Sequence, residues 1–366
     1  MLSADVGHKR LLNQHIAGER FHRPSDVVRW MGAMQAQDYQ QVLWAIGLRT
    51  QSATLEEVEQ AIANREIVQT WPMRGTLHFV AAENAKWMLE HLARRRLAAD
   101  RARHQQLELD ESILGRSAEV FQDALQGGGR LTRRGMLQLL EDARINPAGQ
   151  RGYHILAYLA QTGLICLGPM QGKEQTFALL DDWVPNARTL SREDALAELA
   201  ARYFASHGPA TVDDFARWAG LTLTDARAGL ESVKPGLIPE TQDAKQYWSS
   251  TDAPDPAPHD LSGAYLLPGF DEYLLGYKDR GDVLGAEHAG RVVPGGNGMF
   301  LPMIVAGGQV AGTWKRIRKK SGVAVTLSPF APGSIAAEQV AAAAERFSAF
   351  LGVPLSSLVV SEDRQA

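Results

Sequence analysis

Leu131-Thr132-Arg133-Arg134-Gly135-Met136, taken with its flanks, reveals the architecture. Upstream, Ser117-Ala118-Glu119-Val120-Phe121 starts a helical pattern that Gly127-Gly128-Gly129 ends. Thr132 then offers a hydroxyl at a helix N-cap. Tyr153-His154-Ile155-Leu156-Ala157-Tyr158-Leu159 is a third apolar, helix-periodic run. Leu164-Ile165-Cys166-Leu167-Gly168 and Thr176-Phe177-Ala178-Leu179-Leu180 alternate as a hairpin does, joined by the polar Gln171-Gly172-Lys173-Glu174. Helix, turn, helix and wing is the rhythm of a winged-helix domain.

The same unit recurs on either side. Downstream, Ala195, Leu196, Leu199, Ala200, Tyr203 and Phe204 are spaced by three and four, and His207-Gly208-Pro209 closes the run. Thr211 caps a short helix with Asp213 and Asp214 in its first turn, and Thr222 opens the next. Upstream, helices are expected around residues 11–18, 25–34 and 55–64. A strand pair follows at 67–71 and 75–80, then one long basic helix over 86–103. Residues 239–263, rich in Pro, Asp and Ser, read as a linker or long loop. Residues 265–327 hold short β-prone runs with candidate hairpins at Gly295-Gly296-Asn297-Gly298 and at Gly307-Gly308, and residues 335–351 close the chain as an alanine-rich helix. The predicted class is α+β: tandem winged-helix (helix-turn-helix) domains over 1–112, 113–188 and 189–240, then a small antiparallel β-module over 241–366.

Bulk composition narrows the function. The 366 residues are 45% hydrophobic and 22% charged, those of an ordinary globular chain. No run approaches the roughly 20 apolar residues of a membrane span, and the N-terminus lacks a signal-peptide core. A cytoplasmic protein is expected, with no membrane partner. The single cysteine excludes a disulfide framework and a thiolate metal cluster. A net charge of −4 argues against non-specific coating of nucleic acid. Basic residues nevertheless cluster: six from Lys86 to Arg103, five from Thr313 to Lys320, and Arg130, Arg133 and Arg134. Each cluster is either a solvated face or part of a basic groove.

Met34-Gln35-Ala36-Gln37-Asp38-Tyr39-Gln40-Gln41 is the densest concentration of amides in the chain. It directly follows a helix-periodic apolar segment. Side chains two apart on a helix diverge, so Gln35 and Gln37 reach one site only if the helix ends or bends. Amides can orient a water and stabilise a cationic centre without a shifted pKa; alternatively they form a solvated face or a helix cap. Arg74 and His78 fall on the predicted strand pair, where they either meet phosphate or buttress the wing. Asp271 and Glu272, as adjacent strand residues, point apart and read as structural partners, with Arg280 as a candidate counter-ion. His8, His15 and His22 are too widely spaced for helical metal ligation, and no Gly-Lys-Ser/Thr sequence supports an NTPase loop. No metal and no cofactor are expected.

Gln35-Ala36-Gln37, Trp71-Pro72-Met73-Arg74-Gly75-Thr76-Leu77-His78, Gly269-Phe270-Asp271-Glu272-Tyr273 and Gly312-Thr313-Trp314-Lys315 resemble, in order, blocks of the AlkZ-like winged-helix DNA glycosylase family. The resemblance runs from about Arg10 to Leu351. It implies tandem winged helices in a C-shape that cradles duplex DNA, and a monofunctional glycosylase for N7-alkylated purines, including bulky adducts and crosslinks made by genotoxic natural products. Such an enzyme would serve repair or self-resistance to a toxin. The family's Gln-apolar-Gln motif maps onto Gln35, Ala36 and Gln37; a sister group has Asp at the second polar position, which leaves the role of Asp38 open. The resemblance implies that Gln37 positions water and Gln35 supports it or the sugar, with Asp38 either an electrostatic stabiliser or a helix cap. The expected DNA contacts are Arg74, His78, Arg94, Arg95, Arg133, Arg134, Arg291, Asn297, Lys315 and Arg316. The partner is double-stranded DNA containing alkylated purines, held by a monomer. Two other readings need only the winged helices: a non-catalytic DNA-binding regulator or lesion binder, and a protein-interaction scaffold.

Overall fold

In the computed structural model, residues 4–361 are described apart from 243, 254–262, 297, 332–334 and 336. The chain divides into two compact units: Met1–Val58 with Ala197–Ala366, and Glu59–Leu196.

The first unit begins with α1 (Ala4–Asn13) and α2 (Pro24–Met31). Pro24 suits a helix start, where its missing N–H has no intrahelical partner to lose. Gly32 ends α2 at φ 76, a conformation that favours glycine. The short strand β1 (Ala33–Gln35) follows, wholly buried. Next comes α3 (Tyr39–Leu48), whose residues 42–48 are all buried. The sequence pattern predicts no helix there, because a run apolar on every side lacks the period that marks a surface helix. Helix α4 (Leu55–Ala63) begins in this unit and continues past its boundary at Val58.

The second unit carries β2 (Ile67–Met73), β3 (Thr76–Ala81), α5 (Ala85–Leu92) and α6 (Arg94–Gln106). The single basic helix expected over 86–103 is two helices, broken at Ala93. After them come α7 (Glu111–Leu125), β4 (Leu131–Thr132), α8 (Arg133–Asp142), α9 (Arg151–Gln161), β5 (Ile165–Gln171), β6 (Glu174–Leu179) and α10 (Leu180–Trp183). Thr132 accepts from Gly135 N, the cap its sequence position predicts. The strands lie in the order β3-β2-β5-β6-β4, joined by antiparallel pairs. Phe121, Leu125, Met136, Leu140, Ile155, Leu159 and Phe177 form the core beneath. Burial of each large apolar side chain contributes about 1.5–3 kcal/mol.

Helix α11 (Arg192–His207) leads back into the first unit, with α12 (Val212–Ala219) and α13 (Leu223–Val233). Thr211 and Asp214 close a capping box on α12. β7 (Leu237–Gln242) and β8 (Lys245–Ser250) then pair as a hairpin. The expected linker therefore starts later than 239. Pro239 misled because a two-stranded ribbon has only edges, where proline is tolerated. The remainder of that linker, 254–262, lies outside the described residues.

The C-terminal part contains β9 (Ala264–Leu267), α14 (Glu272–Leu275), α15 (Ala289–Val292), β10 (Met303–Ala306), β11 (Gln309–Lys319), β12 (Gly322–Pro329), α16 (Ala337–Phe350) and β13 (Leu355–Val360). Its sheet runs β13-β12-β11-β10-β9 and is mixed, not antiparallel, since β13 pairs parallel to β12. A parallel pair needs a crossover, and α16 supplies it. Trp44 and Trp314 each meet Phe347 at 5.0 Å between ring centroids, and their indoles donate to the Leu266 and Leu267 carbonyls. The hairpin at Gly307-Gly308 forms. The one expected at Gly295-Gly296-Asn297-Gly298 does not: α15 and a 3-10 turn at Pro294–Gly296 occupy that stretch, and Asn297 lies outside the described residues. Consecutive positive-φ glycines coil that stretch instead of opening two strands. Among the described residues, no helix is long and apolar enough to cross a membrane.

Candidate active site

Chain geometry, not helix geometry, brings the two glutamines together. With α2 ended at Gly32, the chain runs extended through β1 and bends at Gln37 and Asp38 before α3, so the divergence that a helix imposes on residues two apart does not apply. Gln35 Nε2 donates to Gln37 Oε1 at 2.9 Å. Ala36 between them is buried. Gln35 is 8% exposed and Gln37 is exposed, so the amide pair spans the boundary between interior and solvent. Gln35 Oε1 is buried and finds no hydrogen-bonding partner among the described residues.

Asp38 is the N-cap of α3, its carboxylate accepting from Gln41 N at 3.2 Å. It is exposed, and its field reaches Arg316. Burial pushes the Arg316 guanidinium below its ordinary value, and Asp38 offsets part of that. Arg316 also stacks over Phe347, 5.3 Å from the ring centroid.

A second layer lies behind the glutamines. Glu272, 1% exposed, accepts from the Gln35 main-chain N–H at 3.0 Å and from Trp218 Nε1 at 3.1 Å. His207 Nε2 lies 3.7 Å from the same carboxylate, and burial lowers the pKa of this histidine. Asp271 caps α14 and takes a two-pronged hydrogen bond from Arg49, at 2.9 and 2.8 Å. Gln41 Oε1 accepts from Gly269 N at 3.1 Å. Gly269 has no alternative, because a Cβ there would stand 2.5 Å from the Phe300 carbonyl oxygen. Asp271 and Glu272 thus sit at the start of a helix and not on a strand. The partner of Asp271 is Arg49; Arg280 donates to the Leu274 carbonyl. The Gly269–Tyr273 block stands out in the sequence, but its grip on the glutamine segment does not. No local signal connects residues more than 200 apart in the chain.

The basic residues divide between the units. Lys315 is exposed on β11, and Arg318, Lys319 and Lys320 extend this charge to the tip of the β11–β12 hairpin. Ile317, 60% exposed, projects among them. Arg291 donates to the Phe330 carbonyl and lies over its ring.

In the second unit, Arg74 occupies the β2–β3 turn at φ 57, and its guanidinium meets His78 Nε2 at 2.9 Å. His78 Nδ1 lies 2.9 Å from the Thr76 carbonyl, so Nδ1 carries the proton and Nε2 accepts from Arg74. His78 is fully buried and orients Arg74; the expectation that it meets DNA itself is corrected accordingly. Arg94 folds back on Glu90, while Arg95 is exposed. Arg96 pairs with Asp100 through both carboxylate oxygens. Arg133 and Arg134 rim a cavity of about 690 Å³ floored by Trp71, Leu156, Leu167 and Phe177.

The DNA glycosylase AlkZ-like family matches residues 28–350, and the chain belongs to that family. It is 26% identical over 332 residues to the interstrand DNA cross-link repair glycosylase of Streptomyces sahachiroi, covering 84% of each chain. The solved structure of Streptomyces sahachiroi DNA glycosylase AlkZ superimposes with a TM-score of 0.82 at 24% identity, covering 98% of this chain and 99% of that one. That likeness establishes a shared fold.

Proposed function

We propose that this protein is a monofunctional DNA glycosylase that hydrolyses the N-glycosidic bond of N7-alkylated purines, bulky adducts and crosslinks included, in duplex DNA. The observation that carries the reading is the Gln35–Gln37 amide pair at the solvent boundary. Alkylation at N7 makes the base cationic, so it leaves with the electrons of the C1′–N9 bond and departs neutral without a protein acid. What remains is to position a water and favour the oxocarbenium-like sugar. Gln37, exposed and braced by Gln35, presents amide dipoles to that water. The water oxygen bonds C1′, and its proton passes to solvent or to the Asp38 carboxylate. No lysine lies within residues 35–41, in keeping with water rather than an amine as nucleophile.

DNA would be held as a monomer in the cytoplasm by tandem winged helices and by Arg74, Arg94, Arg95, Arg133, Arg134, Lys315 and Arg316. The helix–strand–helix–helix–strand–strand order over α7 to β6 supports the winged-helix reading. The β11–β12 hairpin, with its basic tip, is suited to lie along the backbone of that duplex.

The test is single-turnover incubation with N7-methylguanine duplex and with bulkier N7 adducts, scored as abasic sites. Wild type should release base, and Gln37→Ala should lose about 10²-fold or more in rate. No release from any alkylated duplex, under conditions where a known glycosylase acts, would overturn the proposal.

A further inference from the structure

We infer that Glu272 is a positioning residue for base release: its buried carboxylate holds the Gln35 main chain so that the two amide side chains meet. This rests on the glycosylase reading above. Glu272 opens α14, whose cap Asp271 is clamped by the Arg49 guanidinium, and Arg49 also donates to the Gln14 side chain and the Ala45 carbonyl. The carboxylate is therefore delivered from a rigid platform. Its Oε1 accepts from Gln35 N at 3.0 Å, and its Oε2 accepts from Trp218 Nε1 at 3.1 Å. Trp218 is itself fully buried on α12, in contact with Tyr203 and His207.

The choice of residue is informative. Burying a carboxylate is costly, and an aliphatic side chain would fill the space without that cost. Only a group that accepts at both ends satisfies two N–H donors at once. A glutamine offers one acceptor and would turn its NH₂ towards the other donor. Bonds to a carboxylate are also stronger than neutral ones. This anchor sits on the main chain of the residue whose side chain braces Gln37. Nothing at that position needs to touch DNA. Its effect should therefore fall on the rate of base release and not on DNA affinity, since small displacements of reacting groups are disproportionately slow.

The experiment measures single-turnover release from N7-methylguanine duplex together with DNA affinity for wild type, E272Q, E272D, W218F and the double variant E272Q/W218F. E272Q and E272D should each lose about 30–100-fold in rate while affinity stays within about 2-fold. W218F leaves the bond to Gln35 and should lose no more than about 5-fold. In the double variant, the new amide no longer faces the indole N–H and can turn its carbonyl to Gln35, so about tenfold of the rate should return relative to E272Q. A purely structural role predicts no such return. If E272Q fails to fold, E272D carries the same test with the carboxylate retained but withdrawn by one methylene. Wild-type rates in folded E272Q or E272D would overturn the role of Glu272 while leaving the glycosylase reading intact. An inactive wild type would instead remove that reading, and this inference with it.

Discussion

Asp38 is a helix cap that also carries a charge, and ordinary truncation would remove both together. Its carboxylate caps α3 through Gln41 N, and its charge reaches Arg316. Asparagine caps a helix about as well as aspartate, whereas alanine costs about 1 kcal/mol. D38N should therefore melt like wild type, D38A should melt lower, and both should release base about 10²-fold more slowly if the charge favours the cationic sugar. Melting curves read beside single-turnover rates separate the two roles. A D38N protein with wild-type rates would leave Asp38 as a cap alone. Asp38 was legible as a candidate because caps and anionic stabilisers use the same side chain; only the geometry shows that the cap is made. The two glutamines were likewise legible as a pair that meets only where the helix ends, and the structure supplies that end at Gly32.

Among the elements, the β11–β12 hairpin carries an exposed basic face. Along β11, Lys315, Ile317 and Lys319 alternate with Trp314 and Arg316, so one face packs and the other carries exposed charge around an exposed isoleucine. That pattern suits a strand laid along a phosphate backbone. Every phosphate that a variant no longer neutralises reduces the log–log salt slope of binding by about 0.9, so K315A with K319A should reduce it by about 1.8. Affinity should fall similarly for damaged and undamaged duplexes, because phosphate contacts carry no lesion information. A slope equal to wild type, measured by titration at several salt concentrations, would turn this face away from DNA. Arg316 is a poor choice for that experiment, since its guanidinium packs on Phe347 and its removal would disturb the core.

Across the molecule as a whole, burial of histidines ties stability to pH. His207 is fully buried, and desolvation holds its pKa below the ordinary value, with Glu272 offsetting part of the shift. Unfolded, it titrates near about 6.5. Above that pH both states carry neutral imidazole and stability is complete. As pH falls below it, the unfolded chain takes up a proton that the folded chain refuses, and stability is lost until the folded value is passed. His15, His104 and His154 are shifted the same way and add to the slope. The melting temperature should fall between about pH 7.5 and about pH 5.5, and H207Q should melt lower at the upper pH but with a shallower slope. An H207Q slope equal to wild type would show that His207 does not carry the effect. What is local could be read from the chain alone: the helix caps at Thr132, Thr211 and Thr222, the hairpin at Gly307-Gly308, the closing helix α16, and the identity of the glutamine pair. Periodicity and turn chemistry act over a few residues, and these features need no more. It took the packed fold to establish that Gln35 is held by Glu272, that Asp271 belongs to Arg49, that β13 runs parallel to β12, and that His78 is buried under Arg74. Each of the first three joins segments distant in the chain, and the fourth depends on how deeply a strand is covered. Burial and charge pairing of that kind come from packing, to which local pattern is blind.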